Sequence, residues 1–146
     1  MPAKYKLVLR KDMRKDAAEG SKLYYASANT TGTCDVYELC DLISAQSTAS
    51  SGDVKLILDE LVNVMRRNLG KGEVVKVGEL GSFQLQFGRT GTVTEKEFNQ
   101  VLIKSRRIVF RPGKLLKEAV KNYTFEKIAS GAPDEGGGED DRPGEL

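Results

Sequence analysis

A chain of 146 residues, 39% hydrophobic and 30% charged, has the size of one domain with appendages, and its core is small enough that a buried interface with a second copy would help cover it. The formal charge of +2 divides unevenly: positions 130–146 hold Asp134, Glu135, Glu139, Asp140, Asp141 and Glu145 against Arg142, a net of −5, which leaves 22 basic and 15 acidic residues, +7, on the body. A basic body favours a polyanionic partner; the absence of histidine removes the usual general base, and no apolar run approaches a bilayer span.

Positions 5–10 (Y-K-L-V-L-R) and 22–27 (K-L-Y-Y-A-S) read as strands flanking the charged connector K-D-M-R-K-D-A-A-E-G-S. They predict an N-terminal β-hairpin that adds strands to the fold or covers an interface. N-T-T-G-T at 29–33 is a loop. A first helix starts near Asp35, which can cap it with Glu38 completing a capping box, and Val36, Leu39, Cys40 and Ile43 form its apolar stripe. Cys40 is thereby a small core residue. After the polar turn at 44–52, Ser50 or Ser51 caps a second helix, with Asp53 in its positive first turn. Val54, Ile57, Leu58, Leu61, Met65 and Leu69 line its buried face, and Gly70 and Gly72 end it.

G-E-V-V-K-V-G-E-L-G-S-F-Q-L-Q-F at 72–87 reads as two short strands around a tight turn at Gly78 to Gly81, with Phe83, Leu85 and Phe87 on one face. Positions 88–102 carry Arg89 and Lys96 against Glu95 and Glu97, and T-E-K-E suggests a helical turn capped by Thr94. I-K-S-R-R-I-V-F-R at 103–111 is the third strand and the densest basic stretch, with Lys104 and Arg106 on one face and Arg107 and Arg111 on the other. Pro112 suits the first turn of a third helix. On it Lys114, Lys117 and Lys121 form a basic stripe opposite Leu115, Leu116, Ala119, Val120 and Tyr123. Phe125 and Ile128 can dock a last apolar segment. Gly, Pro and acid dominate 130–146, which predicts a disordered tail.

G-E-L-G-S-F followed by F-R-P-G-K-L-L-K resembles the HU/IHF family of bacterial histone-like DNA-binding proteins, with its G-F-G-[ST]-F and F-[RK]-P-[GS]-K-x-L-[KR] motifs. The resemblance covers roughly 35–120. The extra sequence at both ends is closer to the divergent HU-like group of Bacteroidetes-type bacteria. Two departures stand out. Gly78 lies one place early, so Glu79 holds the family's first glycine position, and the stretch in place of the family's basic, proline-tipped arm is neutral and has no proline.

The resemblance implies an α+β, HU/IHF-like fold: an N-terminal helical hairpin, a three-stranded antiparallel sheet with an arm, and a C-terminal helix, in an intertwined dimer. To this the N-terminal β-hairpin is added. The domains expected are the hairpin extension at 1–33, the HU-like DNA-binding domain at 34–129 and the acidic tail at 130–146. Phe83, Leu85, Phe87 and Phe110 would form the dimer interface. Lys104, Arg106, Arg107, Arg111, Lys114, Lys117 and Arg89 are the candidate DNA-binding residues; of these Arg111 and Lys114 come from the family motif and the rest from local charge. The hairpin would be an edge addition for stability or a partner-binding or second DNA-contacting surface. The tail could compete with nucleic acid for the basic body or simply solubilise it.

Neither G-x-x-x-x-G-K-[ST] nor G-x-G-x-x-G occurs, and two cysteines without histidine cannot complete a tetrahedral zinc site. On a helix Cys34 and Cys40 would lie about 9 Å apart, too far to bridge. The expectation is therefore a non-enzyme with no cofactor, metal, membrane or small-molecule substrate. It would be cytoplasmic and nucleoid-associated, binding double-stranded DNA as a homodimer with little base readout. The alternative is an HU-fold structural or partner-binding module that does not bind DNA.

Overall fold

The structure, a computed structural model, describes residues 1–129. The expected acidic tail at 130–146 lies outside the described residues. The chain divides into two compact units, one built from Met1–Cys34 together with residues 121–129, the other from Asp35–Val120.

In the first unit, β1 (Ala3–Lys11) pairs antiparallel with β2 (Lys22–Ala28) from Tyr5 opposite Ala28 to Lys11 opposite Lys22. The connector is held by Asp12, whose backbone N–H donates to the Ser21 carbonyl and whose buried carboxylate receives the Arg14 guanidinium at 2.6 Å. That guanidinium holds the Asp12 carboxyl below its ordinary range. The third strand, β6 (Phe125–Lys127), runs parallel to β1, with Ala3 opposite Phe125 and Tyr5 opposite Lys127. The sequence reading placed 34–129 in one domain. The ladder instead joins 125–127 to the N-terminal sheet, because the free edge of β1 supplies backbone partners for a three-residue strand.

In the second unit, α1 (Val36–Ala45) begins where the Asp35 carboxylate accepts from the Glu38 N–H at 2.9 Å. The next helix, α2 (Ser51–Gly70), has a complete capping box: Ser50 Oγ accepts from the Asp53 N–H, and the Asp53 carboxylate accepts from the Ser50 N–H, both at 3.1 Å. Its end is a Schellman motif, with the Glu73 N–H donating to the Asn68 carbonyl and the Gly72 N–H to that of Leu69. Cys40, Val54 and Leu69 are the buried apolar side chains among the described residues, so Cys40 is the core residue its place on the stripe predicts.

The second sheet has the order β3 (Val75–Val77), β4 (Gly81–Phe87), β5 (Arg106–Pro112), antiparallel throughout. Here β5 starts three residues later than predicted. A 3-10 turn at Gln100–Leu102 and a bond from the Lys104 N–H to the Leu102 carbonyl fold 100–104 back on itself, so Lys104 lies outside the strand. Thr94 precedes a 3-10 turn at Glu95–Glu97 but makes no side-chain capping bond; the Thr92 hydroxyl donates to the Thr94 carbonyl instead. Pro112 is the last residue of β5 rather than the first of α3 (Lys114–Asn122). As β5 is an edge strand, the missing N–H leaves no ladder bond unmade. Gly113 sits at the helix start, and its carbonyl accepts from the Lys117 N–H. A side chain on Gly113 would strike the Glu79 carbonyl, and one on Gly81 would strike the Arg111 carbonyl and the Phe110 ring. The glycines of G-S-F and R-P-G-K are thus two halves of one close backbone crossing, closed by the Gly113 N–H to Leu80 carbonyl bond.

Candidate nucleic-acid interface

Cross-strand neighbours share a face. Register therefore places Phe83, Leu85 and Phe87 of β4 with Phe110, Ile108 and Arg106 of β5 and with Val75 and Val77 of β3. The rings of Phe83 and Phe110 meet at 4.9 Å between centroids. The opposite face carries Lys76, then Ser82, Gln84 and Gln86, then Arg107, Val109 and Arg111. No strand position of this sheet holds an acidic residue. Lys76, Ser82 and Arg111 form one row across the three strands, about 10 Å wide, and Arg107 lies about 13 Å further along β5. Both arginines are exposed, and among the described residues neither enters an ion pair.

The other predicted residues are distributed around this face. Arg106 sits on the apolar side opposite Phe87, where its Nε donates to the Ile103 carbonyl at 3.2 Å. The segment between β4 and β5 is closed at its base by the Gly88 N–H to Ser105 carbonyl bond, and Arg89 and Lys104 are the next residues out along its two limbs, both exposed. Lys114 and Lys117 are exposed on α3. Lys114 approaches Glu118 at 3.9 Å, a surface pair of small energetic consequence. The structure thus brings Arg107 and Arg111 together and keeps Arg106 apart from them. Sequence reasoning missed Lys76, although the alternation of V-K-V already assigned it to the polar face.

The apolar side of the same sheet meets α2 around a groove of about 490 Å3 lined by Val62, Met65, Leu69, Phe83, Leu85 and Ile108, with Arg66 and Gly70 of α2 beside them. Three of these come from the sheet, and two of the four predicted interface residues are among them. Leu56 and Ile57 of α2 stay 62% and 63% exposed, and Leu115 and Val120 of α3 58% and 57%. An isolated unit would leave this much apolar surface in water, well above the isolated exposed residue that any protein tolerates. No helix among the described residues is long and apolar enough to cross a membrane.

Comparison with known proteins gives four findings. Residues 1–127 match the family described as an HU domain fused to a winged helix-turn-helix, immunoglobulin-like or glycine-rich motif. The DNA-binding protein HU of Thermotoga maritima is 38% identical over 87 residues, 58% of this chain and 96% of that protein. The alpha subunit of integration host factor from Vibrio cholerae is 34% identical over 93 residues, 62% and 94%. A crystal structure from Bacteroides vulgatus superposes with a TM-score of 0.60 at 21% identity over 86% of this chain; the chain spans 48% of that neighbour's length, and the likeness is one of fold. The close crossing of the two motif glycines, the α+β order of two helices, antiparallel sheet and last helix, and the match over nearly the whole described chain lead to one assignment: the chain belongs to the HU/IHF-like family, in its group of HU domains fused to further motifs.

Proposed function

We propose that the chain is a histone-like protein that binds double-stranded DNA as a homodimer, through its phosphates and with little dependence on sequence. The observation that carries this is the acid-free sheet face, where Lys76, Arg107 and Arg111 stand among neutral Ser82, Gln84 and Gln86. Cations spaced on an otherwise uncharged face replace counterions along a phosphate backbone, and contacts of that kind carry no sequence information. Lys114 and Lys117 on α3 extend the positive field, and Arg89 and Lys104 contribute at the neck of the arm. Arg106, tied to the Ile103 carbonyl, is the weakest of the predicted contacts. The relative named DNA-binding protein HU supports the choice of DNA as the polyanion.

The dimer is supported by the groove beside Phe83, Leu85 and Ile108 and by the exposed leucines and valines of α2 and α3. Phe87 and Phe110 continue the same face. The reading is architectural: binding in the cytoplasm at the nucleoid, with no cofactor, small-molecule substrate or catalytic step. A gel-shift titration with random duplex at 50 and 200 mM salt tests it. Retardation that weakens by about a thousandfold or more between those salts is expected for six or more phosphate contacts. No retardation at micromolar protein at either salt would favour a module that keeps the HU fold without DNA.

A further inference from the structure

The N-terminal sheet has two unlike faces. On one, Ala3, Tyr5, Leu7, Leu9 and Lys11 of β1 lie beside Ala28, Ala26, Tyr24 and Lys22 of β2, with Phe125 and Lys127 of β6 on the other flank. Large apolar and aromatic groups stand in water here: Tyr24 is 70% exposed, Phe125 65%, Leu9 48% and Leu7 43%. Lys11 and Lys22 close one end and Lys127 flanks the other, all exposed. No acidic residue occupies this face, since Glu126 pairs with Lys4 on the reverse side. None of the three lysines enters an ion pair among the described residues.

We infer that this face is a binding platform for a single-stranded polynucleotide, separate from the duplex-binding sheet. Two aromatic rings, from Tyr24 beside Leu9 and Phe125 beside Ala3, mark the ends of a diagonal that spans about 20 Å along β1. Tyr5, Leu7 and Leu9 form the apolar floor between them. Rings standing on a sheet offer stacking surfaces to unpaired bases, and lysines at the margins meet the phosphates. A duplex keeps its base faces stacked inside and cannot use them. A second copy of this face would bring three further lysines and no acidic residue to the same patch, a like-charge juxtaposition that disfavours self-pairing. Single-stranded DNA and RNA share the required chemistry, and stacking does not select between their bases.

Fluorescence anisotropy on the full chain tests this, with labelled oligothymidylate and oligouridylate of about 15 nucleotides and a random duplex as the reference. Binding of either oligonucleotide, with quenching of tyrosine fluorescence in a protein that has no tryptophan, is expected. Tyr24→Ala with Phe125→Ala should weaken single-strand binding at least about tenfold and leave duplex binding within about twofold. Tyr24→Phe should retain affinity because the ring remains. Lys11→Glu with Lys22→Glu, both at exposed sites, should weaken single-strand binding and flatten its salt dependence. Conversely, Arg107→Ala with Arg111→Ala should spare it while lowering duplex affinity, so failure of the duplex reading is distinguishable. Absence of binding to both oligonucleotides overturns the inference, as does undiminished binding by the Tyr24/Phe125 variant. A fall in light-scattering mass for that variant also overturns it, because the face would then join two copies.

Discussion

Replacing Arg107 and Arg111 with alanine removes two cations from each sheet and four from a dimer. Each phosphate contact on duplex DNA contributes about 0.9 to the slope of log K against log salt, so the slope should become shallower by about 3.6. At 0.1 M salt the same four contacts are worth about 3.6 decades of affinity, on the order of 5 kcal/mol. Both side chains are exposed and lie outside any ion pair among the described residues, so folding stability should stay within about 0.5 kcal/mol of the parent. Anisotropy titrations of a random duplex from 50 to 300 mM salt, paired with urea unfolding, measure both quantities. An unchanged slope would refute the placement of DNA on this face. So would a loss confined to one duplex sequence, because phosphate contacts act on every sequence alike. Lys76→Ala should remove a further two contacts per dimer, a slope change of about 1.8.

Three further outcomes follow from the fold. Ser50→Ala should destabilise the protein by about 1 kcal/mol in chemical unfolding. The Ser50 side-chain and backbone bonds hold the Asp53 carboxyl below its ordinary value of 3.8, so this stabilisation is complete above that pH and is lost as pH falls through the lower folded value; melting of Ser50→Ala should be less acid-sensitive there than the parent's. Gly113→Ala should cost about 1–3 kcal/mol because its methyl would meet the Glu79 carbonyl, whereas Gly52→Ala, whose methyl would make only an ordinary contact with Ser50 Oγ at 3.9 Å in the first turn of α2, should add up to about 1 kcal/mol; urea denaturation distinguishes them. Ile108→Asp, which places a charge in the apolar groove, should halve the mass measured by light scattering; a dimer that survives it would remove the groove from the interface.

The helices, the two-stranded turn and the apolar sheet face were legible because periodicity and caps act locally. Asp35 and Ser50 each mark a helix start within one residue, and Phe83, Leu85 and Phe87 announce their face by spacing alone. Pro112 was misplaced for a tertiary reason: its strand position is set by pairing with Gly81, thirty-one residues earlier, which no local pattern encodes. Lys104 was drawn into the strand by alternation that continues through it, although a turn-forming bond to Leu102 ends the extended backbone. In the basic stretch, alternation correctly separated Arg106 from Arg107 and Arg111, but linear charge density directed attention away from Lys76. That residue joins the cluster only through register across β4. The pairing of 125–127 with β1 was beyond reach, since three exposed residues carry no signal for a partner more than a hundred positions away.

That last pairing has a consequence for how the molecule is made. Strand β1 is made more than a hundred residues before β6, so the Ala3–Tyr5 stretch of its edge waits for the segment near residue 125, after the whole helical and sheet unit has emerged. Until then β1 offers an open row of amides and carbonyls to any neighbouring nascent chain. Shortening the gene before Phe125 would make that interval permanent, and such a product should accumulate in inclusion bodies even though every residue of Asp35–Val120 is present.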